Sequence, residues 1–383
     1  MQSEEDRIVR VDGYEVECSL PETAGNALRV FNKRGALLVR LTSASGAVGW
    51  GETWAFPGAA SAFIRDLLAP KVIGRRGIEP HALQAALLPL VVPDRRGQGH
   101  MAVSAIDIAC WDLRGQISSQ SIASLMGGGL RQKVRAYASG PLLPEGPDRY
   151  VGFADELERY AAAGFTAFKI RVGISLSEDE IAIRTAREIL GPDALLMVDM
   201  NEASTSHDAI TLANRVSDCK LGWVEEPLPH DDLPGYRKLA ERMPVPLSGG
   251  ESFCGVQAFR ESLCQGALDI IQPDVALCGG LTEAMRISAL ADAFGVQVAP
   301  HVWGTGLNML ATLQYCAMLS ERRGSLSMPL FEYDMSYNPL REAIFTTGPD
   351  ADGMIAIPDG PGLGKQIEES HIDSFITNHW IVE

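Results

Sequence analysis

With 383 residues and a formal net charge of −16, the chain has room for a barrel plus a smaller domain, and its acidity argues against nucleic acid and anionic membrane surfaces as partners. No apolar run approaches the length of a membrane span. The opening Met-Gln-Ser-Glu-Glu-Asp lacks the basic and apolar parts of a signal peptide, and seven scattered cysteines form no C-x-x-C pair, so the expectation is a cytoplasmic protein with reduced thiols.

Residues 1–125 read as an α+β domain. Val9–Val11 and Tyr14–Cys18 suggest two strands around a turn at Asp12-Gly13. Ala36–Leu41 and Val48–Gly51 suggest a hairpin around Ser45-Gly46. Apolar residues at helical spacing predict a core helix from His100 to Gln116. Two stretches, Pro21–Phe31 and Thr53–Ala60, carry no regular pattern. Beside a barrel mouth such loops serve as lids and specificity elements.

From Val134 the pattern changes. Short apolar runs alternate with amphipathic stretches at intervals of roughly 25–30 residues, the beat of a (β/α) barrel of the modified TIM type, expected over residues 126–345. The predicted strands are Val134–Ser139, Ala167–Val172, three ending at Asp199, Glu225 and Glu251, then Leu268–Pro273, Val296–Pro300 and Leu330–Asp334. Residues 346–383 are expected to pack back on the first domain. The C-terminal strand ends of such a barrel form the mouth where chemistry occurs. Three carboxylates converging there would repel one another unless a hard cation lay between them, and an all-oxygen set suits Mg²⁺. Lys169 and Arg171 alternate with apolar neighbours in the second strand, so both point to one side. Asp274 follows strand six and His301 follows strand seven. A carboxylate beside an imidazole fixes its tautomer, so the pair is a candidate general base facing the metal.

Taken together, Lys169-x-Arg171, Asp199-x-Asn201, Glu225-Glu226-Pro227, Gly250-Glu251, Gln272-Pro273-Asp274 and His301 resemble the enolase superfamily, and within it the mandelate racemase branch. Gly49-Trp50-Gly51-Glu52 and the helix containing Ser104–Leu113 extend the resemblance to an N-terminal capping domain. The resemblance implies Asp199, Glu225 and Glu251 as Mg²⁺ ligands, His301–Asp274 as a base dyad, and Lys169 near a substrate carboxylate. It also implies that Glu332 hydrogen-bonds that carboxylate from the other side. The reaction it implies is removal of the proton α to a carboxylate, giving an enediolate.

The racemase motif is Lys-x-Lys, with the second lysine acting as a base. Here that position is Arg171, whose guanidinium stays protonated at neutral pH and serves as an electrostatic clamp. The expectation is therefore one-base chemistry: His301 takes the α-proton and a β-substituent leaves, as in an acid-sugar dehydratase. Pro300–Gly306, Phe331–Asp334 and Asp359–Gly364 are also similar to galactarolactone and anhydrogalactonate cycloisomerases of the same branch, which open a ring by β-elimination. A non-catalytic binding protein on this scaffold is a third reading. A dinucleotide site has little support, because Gly127-Gly128-Gly129 lacks the G-x-G-x-x-G spacing. Asn201, Trp303, Arg95 and Arg96 are candidate substrate contacts for a small acid-sugar carboxylate. A homo-oligomer is expected by family analogy.

Overall fold

The computed structural model describes residues 2–94, 96–322 and 328–383. Its N-terminal part is an antiparallel sheet built from Ile8–Gly25, Val30–Ser43 and Val48–Thr53, against which the 21-residue helix Gln98–Ser118 packs. The hairpin turn at Ser45-Gly46 places Gly46 at φ 85°, where a side chain is disfavoured.

Asp12-Gly13 is not a turn. Ile8–Gly25 runs straight through it as one strand of 18 residues. The glycine serves packing: a Cβ on Gly13 would lie 2.1 Å from the ring of Trp380. Asp12 is buried and accepts from Arg10, Arg40 and His379, contacts that a turn-forming aspartate in solvent would not make. The stretch Pro21–Phe31 is also more regular than its sequence suggests. Ala24 and Gly25 pair with Phe31 and Val30, so the strand pair extends to a short tip at residues 26–29. The other stretch becomes a short connection into the helix Pro57–Phe63.

The second part is a curled parallel sheet of eight strands: Lys133–Ser139, Ala167–Arg171, Leu195–Asp199, Val224–Glu225, Leu247–Gly249, Ile270–Ile271, Gln297–Val298 and Leu330–Asp334. Neighbours pair in parallel from strand eight through strand one to strand seven. No ladder joins strands seven and eight among the described residues. Strands four to seven are short, and Glu251, Asp274 and His301 lie two to three residues beyond their last paired residue.

Helices cover the outside of the barrel. Leu176–Leu190 illustrates how sequence sets them. Ser175 caps its N-terminus by accepting from the Glu178 backbone at 3.3 Å, a bond of about 1 kcal/mol. Asp179, Ala182, Ile183 and Ala186 recur at helical spacing and form its buried face.

Residues 346–383 divide between the two parts. Met354–Ala356 pairs antiparallel with barrel strand one, and Ile376–Val382 adds an edge strand to the N-terminal sheet beside Ile8–Gly25. Contact with the first domain begins before the strand Ile376–Val382: Leu363 N donates to Asp112 Oδ1 at 2.9 Å, and Glu369 accepts from Tyr14 at 2.8 Å and Arg40 at 2.9 Å. The earlier piece instead pairs with an open edge of strand one.

Candidate active site

The barrel interior is layered by the period-2 geometry of its strands. Tyr137, Ala167, Met197, Trp223, Ile270, Ala299 and Leu330 form one buried apolar cluster, each in or directly beside one of seven strands. Two residues further along the chain from each stand Ser139, Lys169, Asp199, Glu225, Gln272, His301 and Glu332. An apolar floor therefore carries a polar layer facing the mouth, and all seven polar residues are buried.

Asp199 and Glu225 of that layer and the partly buried Glu251 beside it each offer a carboxylate oxygen, and these oxygens all lie within 4.8 Å of one another. Lys169 Nζ lies 2.5 Å from Glu225 Oε1, 2.8 Å from Glu332 Oε1 and 3.9 Å from Asp199. Burial pushes the Glu225 carboxyl upward and Lys169 pulls it down. Asp199, Glu332 and Glu251 push it up again, to about 8. Glu251 is also raised, by burial and by Asp199 and Glu332. Lys169 and Arg171, which pairs with Asp199 at 3.0 Å, are two cations among the four carboxylates Asp199, Glu225, Glu251 and Glu332. The oxygen-only donor set and its excess negative charge fit a divalent cation such as Mg²⁺, held by Asp199, Glu225 and Glu251. The remaining Glu225 oxygen is fixed from outside the triad by Trp223 Nε1 at 3.0 Å and Gln272 Nε2 at 2.7 Å.

Asn201 sits at φ 43° and turns back on Asp199, donating its backbone N–H at 2.8 Å and its side-chain amide at 2.9 Å. Arg171 Nη1 reaches the same aspartate at 3.0 Å and Asn201 Oδ1 at 3.1 Å, while its buried Nε has no acceptor among the described residues. Burial alone would lower Arg171, but Asp199, Glu332 and Glu251 raise it above even the usual guanidinium value, so it is a fixed cation.

His301 Nδ1 is 2.8 Å from Asp274 Oδ2. Asp274 has no exposed surface and accepts three more bonds, from Trp54 Nε1 at 2.9 Å, the Ala276 backbone at 2.8 Å and Asn308 Nδ2 at 3.1 Å. With four donors around it, Asp274 holds the His301 proton on Nδ1. That leaves Nε2 directed at the cavity, 3.4 Å from Glu251 Oε2. Burial lowers the imidazolium, but Glu251, Glu332 and Asp274 outweigh it and lift His301 to about 10. A cation at the triad would neutralise Glu251 and bring that value back toward neutrality. Glu332 is pushed up by burial and pulled down further by Lys169 and His301, to about 2. It is an ionised acceptor that also takes the Val302 backbone N–H at 3.1 Å.

A cavity of about 430 Å³ opens above this layer, where Arg171, Asn201, Glu251, His301 and Trp303 meet the N-terminal domain. Arg96 is not on its wall. It is exposed and pairs with Glu261 at 2.6 Å on the outer surface, because its loop leads away toward the helix Gln98–Ser118. Arg95 lies outside the described residues.

Three residues without a role in the sequence reading join the site from the N-terminal domain. Trp54 donates to Asp274. Arg34 stacks 3.8 Å over Trp303 and pairs with Asp334 at 2.5 Å. Glu52 is fully buried and accepts from Thr305 and Asn308. Glu52 had a signal as the one charged residue in the strand Val48–Thr53, and Trp54 lies in the patternless stretch Thr53–Ala60, whose sequence does not say which side chain faces the site.

The model of the enolase C-terminal domain-like family matches residues 152–371, and that of the mandelate racemase / muconate lactonizing enzyme N-terminal domain matches residues 21–127. A D-galactarolactone cycloisomerase from Agrobacterium fabrum is 36% identical over 373 residues, covering 96% of this chain and 98% of that one. An arabinonate dehydratase from Saccharolobus solfataricus is 32% identical over 283 residues, 73% of this chain and 74% of its own. The crystal structure of the 3,6-anhydro-D-galactonate cycloisomerase from Zobellia galactanivorans superposes with a TM-score of 0.88 at 28% identity, covering 97% of this chain and all of that one. The chain therefore belongs to the mandelate racemase / muconate lactonizing enzyme branch of the enolase superfamily.

Proposed function

We propose that the protein catalyses Mg²⁺-dependent β-elimination from an acid sugar, with His301 as the one base and a lactone ring oxygen as the leaving group. The observation carrying this reading is that His301 Nε2 faces the cavity with its Nδ1 proton engaged by Asp274, while Arg171 occupies the position of a second base. A guanidinium that stays protonated cannot return a proton to the opposite face, so two-base racemisation has no second partner.

The substrate carboxylate would lie between the metal site and Lys169, with the α-hydrogen toward His301 Nε2. Bound Mg²⁺ would supply Lewis-acid stabilisation of the enediolate oxygens. Lys169 and Arg171 are fixed cations beside the same developing charge, and they need no reorientation as it forms. His301 takes the α-proton. The electron pair forms the C=C bond as the β C–O bond breaks, and the enol product rearranges to a 2-keto-3-deoxy acid.

The leaving group distinguishes two versions. A lactone departs as a carboxylate and needs no proton, which suits a site with one acid–base group. The 36% identity to a cycloisomerase along the whole chain supports this version. An open-chain acid would lose hydroxide, and His301 would have to return its proton on the same face. The dehydratase relative keeps that second version in view. Proton NMR with Mg²⁺ and a panel of aldonates, aldarates and their lactones separates them. Conversion confined to lactones, with no loss of mass, supports ring opening. Loss of water from open-chain acids overturns it in favour of dehydration. No conversion and no α-proton exchange across the panel would favour a non-catalytic protein.

A further inference from the structure

The carboxylate of the base dyad is held from the N-terminal domain. Glu52 and Trp54 lie two residues apart at the end of the strand Val48–Thr53, and each reaches into the barrel. Trp54 Nε1 donates to Asp274 Oδ2 at 2.9 Å, the same oxygen that receives His301 Nδ1 at 2.8 Å. Asn308 Nδ2 donates to Oδ1 at 3.1 Å. Asn308 is in turn fixed by Glu52, which accepts its backbone N–H at 2.9 Å and takes Thr305 Oγ1 at 2.6 Å and Thr305 N at 2.8 Å. The fit is close: Gly304 sits at φ +97°, and a Cβ there would lie 2.2 Å from Glu52 Oε1.

We infer that Trp54 is a positioning residue for the base. The cap-borne indole, with Glu52 acting through Asn308, clamps both oxygens of Asp274 and so sets the direction of His301 Nε2. The Ala276 backbone and Asn308 both bond Oδ1, so among the described residues Trp54 is the one partner of Oδ2 besides the imidazole, and removing it leaves the oxygen that receives His301 with no second donor to fix its position. Trp54 also lines the cavity, its ring 6.0 Å from that of His301 and 6.5 Å from that of Trp303. The base is therefore correctly aimed only while the cap is seated on the barrel. Misplacing a reacting group by about 1 Å costs on the order of 100-fold in rate.

This inference rests on the proposed role of His301, and the test keeps the two apart. Trp54→Phe retains an aromatic ring in the cavity wall and removes only the donor. With a substrate carrying deuterium at the α-carbon, the variant is expected to lose at least tenfold in kcat, with KM within threefold of wild type and a larger primary isotope effect on kcat. Misaimed proton transfer slows that step selectively, whereas a general packing defect lowers kcat without raising the isotope effect. If Trp54→Phe does not fold, as judged by circular dichroism, Asn308→Ala removes the side-chain donor to the other oxygen and carries the same expectations. A kcat within twofold of wild type, or a loss confined to KM, overturns the inference. An unchanged isotope effect does so as well. If His301→Asn keeps wild-type turnover, the proposed function fails first. If His301→Asn is inert and Trp54→Phe is normal, only the clamp fails.

Discussion

On one side of the barrel mouth, Asp199, Glu225 and Glu251 come from three consecutive strands and crowd their oxygens together within one sheet. On the other side, Asp274 and His301 follow two further strands, but two of the four groups bonded to the aspartate, Trp54 and Asn308, depend on the N-terminal domain, the first directly and the second through Glu52. The carboxylate side is a product of barrel geometry alone, and its excess charge invites a cation. The dyad side is a composite, oriented by hydrogen bonds between residues more than two hundred positions apart. Metal binding and proton abstraction should therefore fail separately when the two sides are disturbed.

The largest expected separation comes from His301→Asn. Turnover should fall by about 10²–10⁴-fold, while calorimetric Mg²⁺ affinity stays within a few-fold of wild type. Equal loss of both would merge the two sides. Gln272→Leu disturbs the opposite side. Removing the amide that orients Glu225 should weaken Mg²⁺ binding about 10–100-fold, and saturating metal should restore most of kcat.

Proton linkage gives a third distinction. Glu225 and Glu251 are raised above the ordinary carboxylate value, so Mg²⁺ must displace protons, and its affinity should rise with pH up to about 8. Stability of the metal-free protein has the matching sign. Glu225 and His301 both have folded-state values above their ordinary ones, so their contribution is complete at low pH and is lost as pH rises through about 8 and about 10. Melting temperatures in a chelator should decline over that window, and Mg²⁺ should raise them most at its alkaline end. A flat profile would contradict the charge crowding. Arg171→Lys should leave elimination largely intact and introduce α-proton exchange with inversion, read by NMR and chiral analysis. The smallest effect is expected for Arg96→Ala, within twofold of wild type, because that side chain is paired on the outer surface.

The contrast also separates what the sequence reveals from what it conceals. The barrel beat, the strand-end carboxylates and the adjacency of Asp274 and His301 are legible because the strands that carry them are short apolar runs followed by an ionisable residue, and alternation along a strand decides which residues face the centre. The apolar floor beneath them follows the same arithmetic, from Met197 to Asp199 and from Trp223 to Glu225. The cap contacts obey no such period. Nothing local to Trp54 indicates that its indole reaches a carboxylate 220 positions away. Arg34 and Asp334, 300 positions apart, are equally silent. Asp12-Gly13 misleads for the same reason: the partner that requires a glycine there, Trp380, lies at the far end of the chain.

The most direct test of one-base elimination is α-proton exchange followed in D₂O by wild type, His301→Asn and Arg171→Ala, each loaded with Mg²⁺. Exchange and product formation are expected to vanish together in His301→Asn. Arg171→Ala is expected still to remove the α-proton, more slowly and from the same face. Exchange persisting in His301→Asn at the wild-type rate, or lost in Arg171→Ala while His301 is intact, would contradict one-base elimination.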